Sequence, residues 1–120
     1  MVTIKAFEGI TYNKDKVRDI SQVIAPPYDV IDTTLQKKLY DRNAYNVIRL
    51  ILGLDEKGDN EHKNKYSRAA NDFKSWLDSG IINRNNTPAI FAISQEFEIE
   101  GIKHCRLGFI ALLQVEEEYG

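Results

Sequence analysis

The chain has 120 residues, 42% of them hydrophobic and 28% charged, with a net charge of −2. Those proportions exclude a disordered tail, a collagen-like fibre and a coiled coil, and the length fits one globular domain that buries roughly two-thirds of its unfolded surface. Residues 1–60 carry nine basic and nine acidic side chains and residues 61–120 seven and nine, so no basic stripe exists to neutralise phosphates, which argues against duplex nucleic acid as a partner.

A single cysteine, Cys105, excludes an internal disulfide and a cysteine-based zinc site, and no metal is expected. The first eight residues lack a basic stretch followed by a long apolar one. No apolar run approaches the ~20 residues of a membrane helix. The sequence therefore reads as a cytoplasmic protein without a membrane segment.

Val2 to Phe7 alternates as a strand, and Tyr12-Asn13-Lys14-Asp15 is a polar turn. Residues 17–24 follow neither period and are expected to be extended or irregular. Ala25-Pro26-Pro27-Tyr28-Asp29-Val30-Ile31 is expected to be non-helical, because each proline holds its predecessor extended and removes a backbone donor. A short helix then runs over about 33–42, capped by Asp32 or by a Thr33–Gln36 capping box, with Leu35 and Leu39 inward.

Asn46 to Leu52, apolar on both faces, predicts a central strand. A long helix is predicted from about Glu61 to Ser79, capped by Asp59 or Asn60 and stopped at Gly80. Its apolar stripe is Tyr66, Ala69, Ala70, Phe73, Trp76 and Leu77. After a loop at 83–88, two long strands, Ala89 to Ile99 and Ile102 to Val115, form a hairpin at Gly101. A two-residue Glu100-Gly101 turn would force Glu100 to positive φ, so the favoured register has a three-residue loop, with Phe91 opposite Phe109 and Ile93 opposite Leu107. The expected class is α+β: a mixed or mainly antiparallel sheet with one long and one short helix packed on it.

The Ala25–Asp32 loop is the most specific feature. Two prolines stiffen the backbone, and an aromatic ring and Asp29 follow immediately. A fixed carboxylate on a stiff loop suits the orientation of a ribose, a base or a metal; the same residues also make a rigid corner with Asp29 bonding local amides. Arg49 interrupts an apolar run. It would fork onto a phosphate, or pair within the fold, with Asp29 as the obvious acid. Tyr28, Asp29 and Arg49 are the ligand-binding candidates, and no catalytic residue is assigned. His104 and Cys105, adjacent on a strand, point to opposite faces and cannot act together, and Cys105 is expected on a packed face. His62 reads as a solvated helix residue; Tyr12 and Tyr28 could stack on a base, although scattered tyrosines are unremarkable. No Walker loop, dinucleotide fingerprint or His-Glu-x-x-His motif is present, and Gly53–Gly58 lacks the Gly-Lys-Ser/Thr of a phosphate loop.

Several blocks occur together in order: Lys5-Ala6-Phe7-Glu8-Gly9-Ile10, Ala25-Pro26-Pro27-Tyr28-Asp29-Val30-Ile31, Asn46-Val47-Ile48-Arg49-Leu50, Gly58-Asp59-Asn60 before a helix with Tyr66 and Ala69-Ala70, and Arg106-Leu107-Gly108-Phe109-Ile110-Ala111. This series resembles the N-terminal part of the family known as domain of unknown function 1015, with Ala6 where that family has proline. The resemblance spans essentially the whole chain, and Pro-Pro-Tyr-Asp-Val is its most specific part. It implies a soluble prokaryotic protein of several hundred residues, of which this chain is an N-terminal piece. It carries no established activity and assigns no role to Asp29 or Arg49. Some members bear names borrowed from ParB-type partitioning proteins, a hint towards nucleotide or phosphate chemistry. A Pro-His-Glu motif expected later in the family is absent here.

Two functions remain open. One is a nucleotide- or phosphate-ligand-binding enzyme whose site is completed by sequence beyond residue 120. The other is a non-catalytic structural or protein-interaction domain. The apolar residues of the last strand lie on both of its faces, so a homodimer through an exposed strand edge or apolar face is also expected.

Overall fold

The computed structural model describes residues 2–117. Glu118, Tyr119 and Gly120, which close the acidic tail, lie outside the described residues, as does Met1. The chain is α+β and gathers into two compact units: Thr11–Asn83, and the stretch up to Ile10 together with the chain from Arg84 onward. Among the described residues, strand pairing occurs in three separate two-stranded ladders, and no helix is long and apolar enough to cross a membrane.

The unit Thr11–Asn83 holds the helices. Helix α1 spans Thr33–Arg42, and of the two candidate caps the structure uses Asp32, whose carboxylate accepts from the Leu35 N–H at 2.8 Å. Leu39 is buried and Leu35 half-buried, as the helical spacing predicts. Residues 46–52 are not a strand. Asn43 Oδ1 accepts from the Tyr45 N–H at 2.8 Å and Asn46 Oδ1 from the Ile48 N–H at 2.9 Å, which turns the chain into the single helical turn α2, Ile48–Ile51. A short apolar run fits either period, and here the asparagine side chains decide between them.

Helix α3 spans Lys65–Asp78, starting four residues later than the spacing predicts. Asn60 is spent on its own turn, accepting from the N–H groups of His62 and Lys63. Asn64 then caps α3 in a reciprocal box with Ser67. The helix ends at Ser79 and Gly80, whose φ of 75° suits only glycine. Trp76 is the one buried member of the predicted stripe. It packs edge-on to Tyr45 at 5.7 Å and against Tyr12 at 6.4 Å between ring centroids. With Val17, Val23, Leu39, Ile48, Ile81 and Ile82 it makes up the buried apolar core. Two 3-10 turns complete the unit, Ile20–Gln22 and Tyr28–Val30; the second corrects the expectation of a wholly non-helical Pro-Pro segment, since Pro27 caps that turn.

In the other unit, β1 (Ile4–Lys5) pairs antiparallel with β6 (Leu112–Leu113), and Phe7 bridges to Ala89. Phe7 packs tilted against Phe91 at 5.2 Å between ring centroids, and the Phe91 ring lies where a Cβ at Gly9 would stand, so a side chain there would have to displace it. The hairpin consists of β4 (Phe91–Ile99) and β5 (Ile102–Ile110). Its register is the one the turn chemistry disfavours: Phe91 faces Ile110, Phe97 faces His104 and Glu98 faces Lys103 across a two-residue Glu100-Gly101 turn. Both turn residues have positive φ, 50° and 79°. The twist of such a turn matches that of the strands, which offsets a cost of about 1 kcal/mol at Glu100. The last strand is also interrupted at Ala111, where the chain leaves β4 for β1. The third ladder pairs β2 (Ile10–Tyr12) with β3 (Ile82–Arg84), a short strand at the start of the predicted loop.

Two outcomes follow. Trp76→Ala is expected to cost roughly 3–5 kcal/mol in denaturant unfolding, whereas Phe73→Ala, at a side chain 38% exposed, costs roughly 1 kcal/mol. Glu100→Asn relieves the strained φ and stabilises the hairpin by about 0.5–1 kcal/mol, read as slower amide exchange in β4 and β5.

Candidate functional site

The Pro-Pro loop is held from below by one side chain. Asn46 is completely buried, the one buried polar residue among the described residues. Its amide donates to the carbonyls of Gln22 and Ile24 at 3.0 and 3.1 Å, while its oxygen accepts from Ile48. Between those carbonyls, Val23 O accepts from the Val47 N–H at 2.8 Å. The chain entering Ala25-Pro26-Pro27 is thus pinned at three successive carbonyls. Tyr12 adds a brace, its hydroxyl donating to Tyr45 O at 2.6 Å. Burial pushes that phenol up to about 12, so Tyr12 stays a neutral structural donor.

Above this root, Pro27 leads into the turn Tyr28–Val30. Tyr28 is 68% exposed. Asp29 is exposed as well, and neither side chain hydrogen-bonds another described residue. The aromatic ring and the carboxylate therefore stand adjacent, on a stiff stem, with their surfaces uncommitted.

Arg49 is placed differently from the sequence expectation. It makes no ion pair with Asp29 among the described residues. From α2 it reaches back to the end of α1, where Nη2 donates to Tyr40 O at 3.1 Å and the guanidinium lies 4.5 Å from the Tyr40 ring centroid. A backbone carbonyl and a ring face take the place of the acid. Nε is buried without a partner. Of five N–H donors, one is used within the described structure. No hydrogen bond or ion pair brings Arg49 together with Tyr28 or Asp29.

The polar loop after α2 is not an open anion cradle. Arg68 grips Asp59 with two bonds of 2.7 and 3.0 Å and also donates to Leu54 O at 2.7 Å, and this grip holds the Asp59 carboxyl down to about 2. A guanidinium so occupied has little left for a phosphate. Cys105 is exposed, 3.3 Å from Ser94 Oγ, not on a packed face. A cleft of about 510 Å³ near the hairpin tip is lined by Glu96, Phe97, Glu98, Lys103, His104 and Cys105. Those side chains belong to both faces of a two-stranded ribbon, so the space wraps its outside and encloses no ligand site.

An α+β chain with a buried amide locking a Pro-Pro-Tyr-Asp loop is the class that fold and site define. Residues 4–120 match the model of the family described as Protein of unknown function (DUF1015), and the chain belongs to that family. No curated protein and no solved structure matches it.

Asn46 escaped the sequence reading, although Asn43 and Asn46, three apart at the head of an apolar run, carry the signal of side chains that bond local backbone. Asn46→Ala leaves two carbonyls and one amide unsatisfied and is expected to cost roughly 2–4 kcal/mol in denaturant unfolding. Tyr28→Ala and Asp29→Asn are each expected to change stability by less than about 0.5 kcal/mol. A loss at Asp29 equal to that at Asn46 would make the loop a structural corner.

Proposed function

We propose that the Pro-Pro loop is the recognition element of a cytoplasmic nucleotide- or phosphate-ligand-binding enzyme, with its site completed by sequence beyond residue 120. The observation that carries this reading is the pairing of an uncommitted ring and an uncommitted carboxylate on a stem locked by Asn46. Rigid presentation without an internal partner lowers the entropy lost on binding. In this reading Tyr28 stacks on a base, Asp29 accepts from sugar hydroxyls, and the unused N–H groups of Arg49 meet a phosphate. Titration calorimetry of the protein with the sequence beyond residue 120 included, against inorganic phosphate and nucleoside mono-, di- and triphosphates, tests it. Binding that falls at least tenfold in Tyr28→Ala and in Asp29→Asn, at unchanged melting temperature, is the expected result. Binding indifferent to both substitutions, or none with any of these ligands, overturns it.

A second reading, a non-catalytic interaction domain that self-associates, is favoured by the β4–β5 hairpin. Every residue of β5 and all but the first of β4 are exposed, and neither outer edge is paired among the described residues.

A further inference from the structure

Resting on that second reading, we propose that one face of the β4–β5 hairpin is a dimer interface that packs on the same face of a second copy about a two-fold axis. Directly opposed residues of an antiparallel pair share a face. The register therefore assigns Phe91, Ile93, Gln95, Phe97 and Ile99 of β4 and Ile110, Gly108, Arg106, His104 and Ile102 of β5 to one side. The reverse side mixes Ala92, Leu107 and Phe109 with Glu96, Glu98 and Lys103. One face is thus mainly apolar, with the polar pair Gln95 and Arg106 at its middle and His104 beside it.

The relief of that face is self-complementary. One pair from the middle towards the tip, Phe97 and His104 stack at 5.5 Å and 18° between planes, with the Arg106 guanidinium leaning over Phe97 at 5.8 Å. They form a ridge. One pair from the middle towards the base, Gly108 lies opposite Ile93, and a Cβ placed on Gly108 meets nothing within 4 Å. It forms a notch. Ridge and notch are equidistant from the Gln95–Arg106 pair. A two-fold axis running across the strands through that pair sets each ridge into the partner's notch. The tip isoleucines, Ile99 and Ile102, then reach Ile110 and the rim of the Phe7–Phe91 pair.

The area is adequate for the assignment. Ile93, Phe97, Ile99, Ile102 and Ile110 are between 37% and 62% exposed. At about 200 Å² per large side chain they leave on the order of 450 Å² of apolar surface uncovered. Gln95, His104 and Arg106, all exposed, add polar area to that apolar centre, against roughly 800 Å² per partner in a standard interface. A lone two-stranded ribbon is marginal in water, and a second ribbon laid on this face supplies the covering layer.

Analytical ultracentrifugation of the 120-residue chain from micromolar to millimolar concentration tests the interface. The expected result is a mass rising from 13.8 kDa to twice that value. Gly108→Trp, which fills the notch, and Ile102→Lys, at an already exposed tip, should each weaken association at least tenfold. Leu107→Trp, the same bulk on the reverse face, should leave it intact. Circular dichroism confirms the fold of each variant. A dimer that survives Gly108→Trp and Ile102→Lys, or that Leu107→Trp dissolves equally, overturns this interface while self-association stands. A chain monomeric at every concentration overturns both, and gives the face to a different protein or to later sequence of a longer chain.

Discussion

The carboxamide of Asn46 is the constraint on which the Thr11–Asn83 unit depends. A buried amide has two donors and an acceptor to satisfy, and here all three are used on backbone groups of two separate segments, Gln22–Ile24 and the start of α2. The same group does three jobs. It ends the approach of the Gln22–Ile24 segment, starts helix α2, and fixes where the Pro-Pro stem emerges. An aliphatic side chain of equal size could fill the space but would orphan those groups, at a cost well above a typical surface substitution. Polar burial of this kind contributes modest net stability when complete and a large penalty when incomplete, which makes the geometry of the loop root nearly all-or-none.

What was legible in the sequence was what local chemistry decides. Helix α1 lies where Asp32 and the spacing of Leu35 and Leu39 place it, and α3 ends where Gly80 demands. The family, too, was readable from its ordered blocks, Pro-Pro-Tyr-Asp-Val above all. The failures were those in which two local rules competed. At Asn46–Leu52 apolar character on both sides suggested a strand, but two asparagine side chains closed a turn. At the hairpin the steric preference of Glu100 pointed to a longer loop, but the twist of the strands favoured the tight turn and absorbed the strain. At Asn60 one good cap was spent on its own turn, so the next asparagine took the helix.

For the candidate site the division falls differently. Tyr28 and Asp29 are on display because proline stiffness is a local property. Arg49 went astray because its partner is not a charge. Its place over the Tyr40 ring follows from α2 being helical, and a helix aims the residue where a strand would not. A misassigned element thus carried its error straight into a misassigned partner. Asn46 went unnoticed because nothing in its type distinguishes a buried, fully bonded asparagine from a solvated one.

The division of the chain into units bears on the order of events during synthesis. The unit Thr11–Asn83 is one uninterrupted stretch, and its two ends meet: the Asn13 N–H donates to Ile81 O at 2.8 Å and the Asn13 amide to Gly80 O at 2.9 Å. It has the layout of an insertion, whose start and finish lie side by side. The other unit is assembled from the first ten residues and those from Arg84 on, so Phe7 must wait for Ala89 and Phe91 before it has a partner. Made first and closed on itself, the inserted stretch turns a separation of some eighty residues into a short bridge between neighbouring ends, and spares the outer unit most of the entropy of closing so long a loop. Ribosomal emergence from N- to C-terminus then favours a sequence of assembly, inner unit before outer.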